Sequence, residues 1–358
     1  MATIQTAQTY QATNATNFRS RVIYQSESLH AGGGGSQSDI QRVQSINYGF
    51  TVPRTDVNQY GQLGQIERVI TEIPTVTLDF TYNLAGRTNE ARLLGGGGGV
   101  GGDYGFMKDI NKSSSAFDLM KYTIGLSNDG TDFRSNPPSS HTNKGIIIED
   151  AGLTSYSWTG AVGDIPSATV NAEGSKMSIG NVTNSATKEV ATTPRVMRPG
   201  NVKLWSAPAT QTLAENRIPA LGFDVIHVQS FTVSVDVPRE SIQRLGDRFE
   251  FARVITFPIQ ATMSLEAIVS SQAENNLSDI VDAASDPGFD ILVSCNKQGN
   301  SGVEGVGLMF KDAKMEGHSI SSSIGANKSL TLDYAVQVDS GEIKADNAST
   351  GFFVTGPA

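Results

Sequence analysis

The chain contains its own duplicate, and the two copies match in two separate blocks. Val43-Gln44-Ser45 and Val52-Pro53-Arg54 recur as Val228-Gln229-Ser230 and Val237-Pro238-Arg239, 185 positions later. At the same offset Gly61 meets Gly246, and Arg68-Val69-Ile70-Thr71 meets Arg253-Val254-Ile255-Thr256. A second block, Gly145 to Ala151, is echoed by Gly307 to Ala313 at an offset of 162, which also matches Ser157, Gly163, Ser167 and Thr169 to Ser319, Gly325, Ser329 and Thr331. The offset falls from 185 to 162, so the first copy holds 23 residues more between the blocks. One fold used twice suits an object built by repetition better than an enzyme with one distinctive pocket.

A length of 358 residues accommodates two units of ordinary size. The net charge of −9 argues against a basic groove that grips nucleic acid, since such binding rests on cations facing phosphate. It leaves open a surface that nucleic acid slides past. Gly, Ser, Thr, Asn and Val are favoured over Lys, Glu and Leu, the bias of β-rich structural chains. The single cysteine, Cys295, provides no disulfide framework and reads as a small buried hydrophobe on a strand. Neither a signal peptide nor an apolar run of membrane-spanning length is recognisable, so the expected location is the cytoplasm or a particle assembled there.

The expected organisation is a polar N-terminal arm over 1–20, a first unit over 21–172, a connector over 173–200, a second unit over 201–340 and a C-terminal arm over 341–358. Arg21 to Ser26 reads as a strand, with Val202 to Ser206 as its weak counterpart, and Ala31 to Ser36 as a glycine linker. Phe231, Val233, Val235 and Val237 alternate as one face of a half-buried strand, which Pro238 ends as Pro53 does in the first copy. A long strand follows in each, Arg68 to Phe80 and Arg253 to Val269, with Pro74 and Pro258 marking bulges or edges. One short helix is expected per unit: Ser115 with Asp118 suits a capping box ahead of Phe117, Met120 and Ile124, and Leu277, Ile280, Val281 and Ala284 share a face. Two more strands follow Asp150 and Asp312, the clearest running through Leu330, Leu332 and Tyr334.

The glycine run Gly95 to Gly99, continued by Gly101 and Gly102, satisfies a dinucleotide-type glycine pattern trivially, but it lacks the strand, helix and acid such a site needs. Its place within the extra residues, about 85–110, marks it as a flexible loop exposed outside or toward a neighbouring subunit. No cofactor is expected. His30, His141, His227 and His318 show no metal-ligand spacing, and no nucleophile elbow is present, so no catalytic or metal residue is assigned. Asp150 and Asp312 recur after an apolar triplet and are expected to bond backbone amides at the turn ending the strand. Arg54 with Arg239, and Arg68 with Arg253, serve either a repeated subunit contact or an internal ion pair.

The segment Val228 to Arg239, followed by Gly246 and Arg253 to Pro258, resembles the major tail tube proteins of long-tailed bacteriophages, of the kind that fuses two tube domains in one chain. The resemblance spans roughly residues 21–165 and 202–340 and lies in the order of elements, with no counterpart for the glycine insertion or the connector. It implies a mainly β (α+β) fold of two tandem β-sandwich or half-barrel domains, each with one short flanking helix. It implies rings of three chains with pseudo-sixfold symmetry that stack into the tube through which DNA is ejected, DNA passing without specific binding. Implied partners are further copies of the chain, a tape measure protein and tail-end adaptor proteins, with no membrane, in a virion tail assembled in the host cytoplasm. Alternatives are a single-layer adaptor, baseplate or distal tail ring, and a carbohydrate-binding β-sandwich module of a fibre. The latter expects aromatics near loops, whereas Trp158 and Trp205 fall within expected strands. An enzyme has the least support.

Overall fold

The computed structural model describes residues 24–32, 38–94, 104–108, 110, 118–128, 143–182, 199–208, 214–215, 227–246, 250–268, 288–296, 304–321, 329–338 and 350–355. Its centre is an antiparallel sheet whose inner strands alternate between a buried apolar face and an open polar one. In β6 (Thr75–Asn83), Val76, Leu78, Phe80 and Tyr82 are buried and the residues between them are not. The strand order is β3 (Val43–Thr51), β6, β10 (Ser167–Gly174), the second half of β9 (Asn143–Ala161), β14 (His227–Asp236), β17 (Gln260–Ile268), β20 (Ser329–Gln337) and the second half of β19 (Glu304–Ser321).

The registers recur at the two sequence offsets. Val43 opposes Tyr82 and Ser45 opposes Thr81 around a bulge at Gln44; 185 positions on, Val228 opposes Ala267 and Ser230 opposes Glu266 around a bulge at Gln229. Ala172 opposes Leu153 beyond a bulge at Thr154, and 162 positions on, Tyr334 opposes Met315 beyond a bulge at Glu316. β3 and β14 therefore hold corresponding places, as do β9 and β19.

The first halves of β9 and β19 leave the central sheet for two outer layers. One runs β2 (Ser38–Asp39), β1 (Tyr24–Gly32), β8 (Met120–Asn128), β9, β11 (Lys176–Val182). The other runs β13 (Ala214–Glu215), β12 (Val202–Pro208), β18 (Phe289–Asn296), β19, β21 (Gly351–Thr355), β7 (Tyr104–Gly105). A continuous apolar core lies between the layers, with Trp158, Tyr82, Tyr122, Tyr156 and Phe310 among its largest fully buried members. Cys295 is buried there on β18. The protein is mainly β, and α1 (Thr88–Leu94) is the one α-helix among the described residues.

Several expectations are corrected. Met120 to Ile124 lie in strand β8, where Met120, Tyr122 and Ile124 are buried, so the first expected helix is absent over 118–125; Phe117 and the second expected helix lie outside the described residues. The expected long strands each divide near the proline: β5 (Glu67–Ile70) ends before Pro74 and β6 follows, while β16 (Ala252–Ile255) ends before Pro258 and β17 follows. β5 and β16 belong instead to two hairpins, with β4 (Arg54–Val57) and β15 (Arg239–Ile242). Part of the expected connector is strand β11, paired with β9, and 183–198 are not described. The expected C-terminal arm contains β21, buried throughout its length, and the expected glycine linker begins inside β1.

The glycine run lies outside the described residues, but what flanks it is not an exposed loop. Leu93, Leu94, Phe106, Met107 and Ile110 are all fully or almost fully buried, and β7 pairs with β21, far along the chain. Phe106 packs against Phe352 at 5.3 Å and Tyr156 at 5.6 Å between ring centroids. The extra segment thus straps the first copy's core to the edge of the second copy's outer layer.

Candidate self-assembly interface

At the middle of the central sheet, β9 and β14 join residues of the two copies. Ser155 opposes Asp236, Tyr156 opposes Val235, Ser157 opposes Ser234, Trp158 opposes Val233, Thr159 opposes Thr232 and Gly160 opposes Phe231. Tyr156, Trp158, Val233 and Val235 all point into the core. A Cβ on Gly160 would stand 2.5 Å from the Phe231 ring, so the missing side chain is what admits that ring. The junction places one bulky residue against one small residue at each core-facing pair.

The hairpin that follows β14 locks it further. Arg239 donates through Nε to the Leu153 carbonyl at 2.9 Å and through Nη1 to Asp118 at 3.1 Å, with its side chain only 2% exposed. Gly152 lies beneath the guanidinium, which would stand 2.6 Å from a Cβ on that residue. Arg253 donates to the Glu173 carbonyl and to Glu250. Burial lowers the Arg239 pKa, and Asp118 opposes that shift by hydrogen bonding and charge. Of the four singled-out arginines, these two bridge the copies within the chain. Arg54 and Arg68 are exposed in the hairpin β4–β5, where Arg68 pairs with Asp56 at 2.6 Å.

The two ends of the sheet correspond to the two strands joined at its centre. β3 pairs with β6 on one side and the second half of β19 with β20 on one side, and no other strand among the described residues pairs with either. Tyr48 (39% exposed), Phe50 (48%) and Ile320 (44%) occupy the counterpart positions of buried Val233, Val235 and Trp158. The sheet therefore ends in apolar side chains directed at its core face but left open to water.

The open face of this sheet is hydroxyl-rich and acidic. Ser45 meets Thr81, Asn47 meets Asp79, Asn171 meets Ser155, Ser234 meets Thr262 and Ser230 meets Glu266 in cross-strand hydrogen bonds. Asp79, Glu173, Asp236, Glu266 and Asp333 supply negative charge, and β3, β6, β10, β14, β17 and β20 contain no lysine or arginine. Every fixed charge on those six strands is negative.

No protein-family model matches this chain, and no curated protein matches it. Solved structures that it resembles come from tail-like particles. The SPP1 tail tube is 8% identical, with 46% of this chain and 82% of that chain covered and a TM-score of 0.32. The baseplate of the anti-feeding prophage is 10% identical, covering 42% of this chain and 95% of that one, with a TM-score of 0.31. The tail of an empty GTA particle is 9% identical, covering 42% and 100%, with a TM-score of 0.30.

Asp150 and Asp312 do not sit at turns that end a strand. Each lies mid-strand in the left-handed region (φ 54° and 55°), where β9 and β19 pass from an outer layer into the central sheet. Asp150 pairs with Lys176 at 2.7 Å, and the Asp312 amide donates to Asp290 at 2.9 Å. Sequence reasoning missed Glu90 of α1, fully buried and accepting from Tyr82 at 2.8 Å and Tyr156 at 3.3 Å. Burial pushes its pKa up to about 7 against those hydrogen bonds. Its neighbours Asn89 and Arg92 are polar, so only the following Leu93-Leu94 pair marked the segment as one that packs inward. Among the described residues no three metal-ligating side chains come together, and no helix is long and apolar enough to cross a membrane.

Proposed function

We propose that the chain is a structural subunit of a bacteriophage tail tube, with residues 21–172 and 201–340 filling two adjacent places in a ring. Three copies then give a pseudo-sixfold ring, whose central sheets run on from chain to chain into one closed barrel, and rings stack into a tube. The observation that carries this reading is the correspondence between the sheet's two open edges and the pair of strands joined at its centre. Whatever geometry satisfies β9 with β14 also offers a place for β19 with the β3 of another copy. Closure removes the exposed edges that otherwise template uncontrolled aggregation.

The polar face supports the role of conduit. Hydroxyls, with carboxylates in excess of the two cations beside them (Arg253 against Glu173 and Lys314 on β19), repel phosphate and give it little to pair with, so DNA passes without specific binding. In this reading the partners are other copies of the chain, a tape measure protein within the lumen and adaptors at the tail ends, and the product belongs to the virion tail assembled in the host cytoplasm. Negative-stain microscopy of the purified protein, alone and with its tape measure, tests it. Hollow rods are expected; isolated single-layer rings would make the chain an adaptor, and a persistent monomer would end the proposal.

A further inference from the structure

Resting on that ring reading, we propose that the contact between chains repeats the internal β9–β14 junction in register, with β19 of one copy antiparallel to β3 of the next. Moving the β9 members forward by 162 and the β14 members back by 185 sets Thr51 opposite Gly317, Phe50 opposite His318, Gly49 opposite Ser319, Tyr48 opposite Ile320 and Asn47 opposite Ser321 of the neighbouring copy. The offsets are fixed independently, because they also relate the pairings and bulges of β3 with β6 and of β9 with β10 to those of their counterparts.

The side chains complement one another in this register. Inside the chain the large members are Trp158 and Tyr156 on β9, facing Val233 and Val235 on β14. At the open edges the sizes are exchanged: the large members, Tyr48 and Phe50, sit on β3, and Ile320 and His318 sit on β19. Both core-facing pairs at the edges set an aromatic ring on β3 against a smaller side chain on β19. All four point to the core side, since Tyr48 and Phe50 lie opposite buried Leu78 and Val76, and Ile320 and His318 opposite buried Leu330 and Leu332. A slip of one residue would turn the aromatics toward serines and reverse the faces. A slip of two that sets Tyr48 opposite His318 would set Phe50 opposite the bulged acid Glu316.

The inter-chain contact is not a full copy of the internal one. The counterpart of Gly152, which lies beneath the Arg239 guanidinium, is Lys314, and the counterpart of Arg239 is Arg54. A lysine there repels a docking arginine, so strand pairing holds this seam without the arginine hook of the internal junction.

Cysteine pairing in the full chain tests the register. In a Cys295→Ala background, Asn47→Cys with Ser321→Cys places two thiols directly opposite across the seam, within disulfide reach, whereas Asn47→Cys with Ser319→Cys places them on the diagonal. The first pair is expected to give covalent oligomers on non-reducing gels after mild oxidation, and the second to remain monomeric. Rings or tubes in which only the second pair cross-links, or neither does, overturn the register while leaving the ring intact. Absence of any assembly overturns both. Phe50→Asp supplies a second readout: the monomer's thermal transition is expected to shift little, because 48% of that residue is already exposed, while ring formation is lost. Assembly of that variant at the wild-type level would also overturn the seam.

Discussion

Two aspartates let one strand serve two sheets. At Asp150 and Asp312 the backbone enters the left-handed region, which rotates the strand out of one layer and into another without breaking it. That conformation costs most residues about 1–2 kcal/mol, less for Asp and Asn, and nothing for Gly. The usual order of Ala over Gly within an element therefore reverses here: Asp150→Gly is expected to be more stable than Asp150→Ala by about 1 kcal/mol. Urea midpoints of the two variants measure this, and a more stable alanine variant would remove the pivot. Glu90 is the other residue with a distinctive cost. Its pKa is raised to about 7 from an ordinary 4.5, so the folded state holds a proton that the unfolded chain releases between those values. Stability from this group is thus fully present below the unfolded value and is lost as pH rises through about 7, by on the order of 3 kcal/mol. Glu90→Gln removes that slope. Compared with wild type, the variant is expected to gain at about pH 8 relative to about pH 5; denaturant titrations of both proteins at the two pH values check it.

Among the elements, the two hairpins have related sequences and different surroundings. β15–β16 is fastened to the first copy by Arg239 and Arg253, whereas β4–β5 exposes Arg54, Arg68 and the apolar tip residues Tyr60 and Leu63. Arg239→Ala leaves Asp118 and the Leu153 carbonyl without their donor in a buried place and is expected to cost about 3 kcal/mol, whereas Arg68→Ala removes an exposed pair and costs less than about 1 kcal/mol. Equal losses in chemical denaturation would contradict the difference in burial. Strands such as β14 and β20 were legible from their alternation, whereas the expected long strands ran through Pro74 and Pro258, where the chain instead passes from a hairpin into β6 and β17. The first helix was misread for a physical reason: Met120 and Ile124 are four apart, a spacing that fits both a helical face and every second residue of a strand, and Tyr122 between them decides for the strand. The glycine run drew attention away from its apolar flanks, where Leu93, Leu94, Phe106 and Met107 were the signal of a buried strap. Phe352-Phe353-Val354 was the similar signal for β21 in a tail otherwise polar. The arginines were legible as repeated positions, but their different burial depends on which copy lies next to which, and that is a tertiary fact.

Across the whole molecule, the central sheet carries an apolar side, covered within the chain except at its two end strands, and a polar side open to water. On the tube reading proposed above, the first meets the next chain at the open edges and the second repels phosphate. Both follow from the period of two, because each strand deals its residues alternately to the two faces. If the polar face lines the lumen, its charge is what keeps the channel clear. Asp236 and Asp333 are both exposed there, on strands that contain no cation. Replacing both, as Asp236→Lys with Asp333→Lys, puts on each chain two cations where carboxylates stood. Assembled tubes of this variant are expected to retain short double-stranded DNA at low salt and to release it as salt rises, while wild-type tubes retain none. The charge change lies on a face already open to water, so the isolated chain should fold as before, and its thermal transition provides the control. Retention by wild-type tubes under the same conditions, or no retention by the variant, would show that DNA does not meet this face.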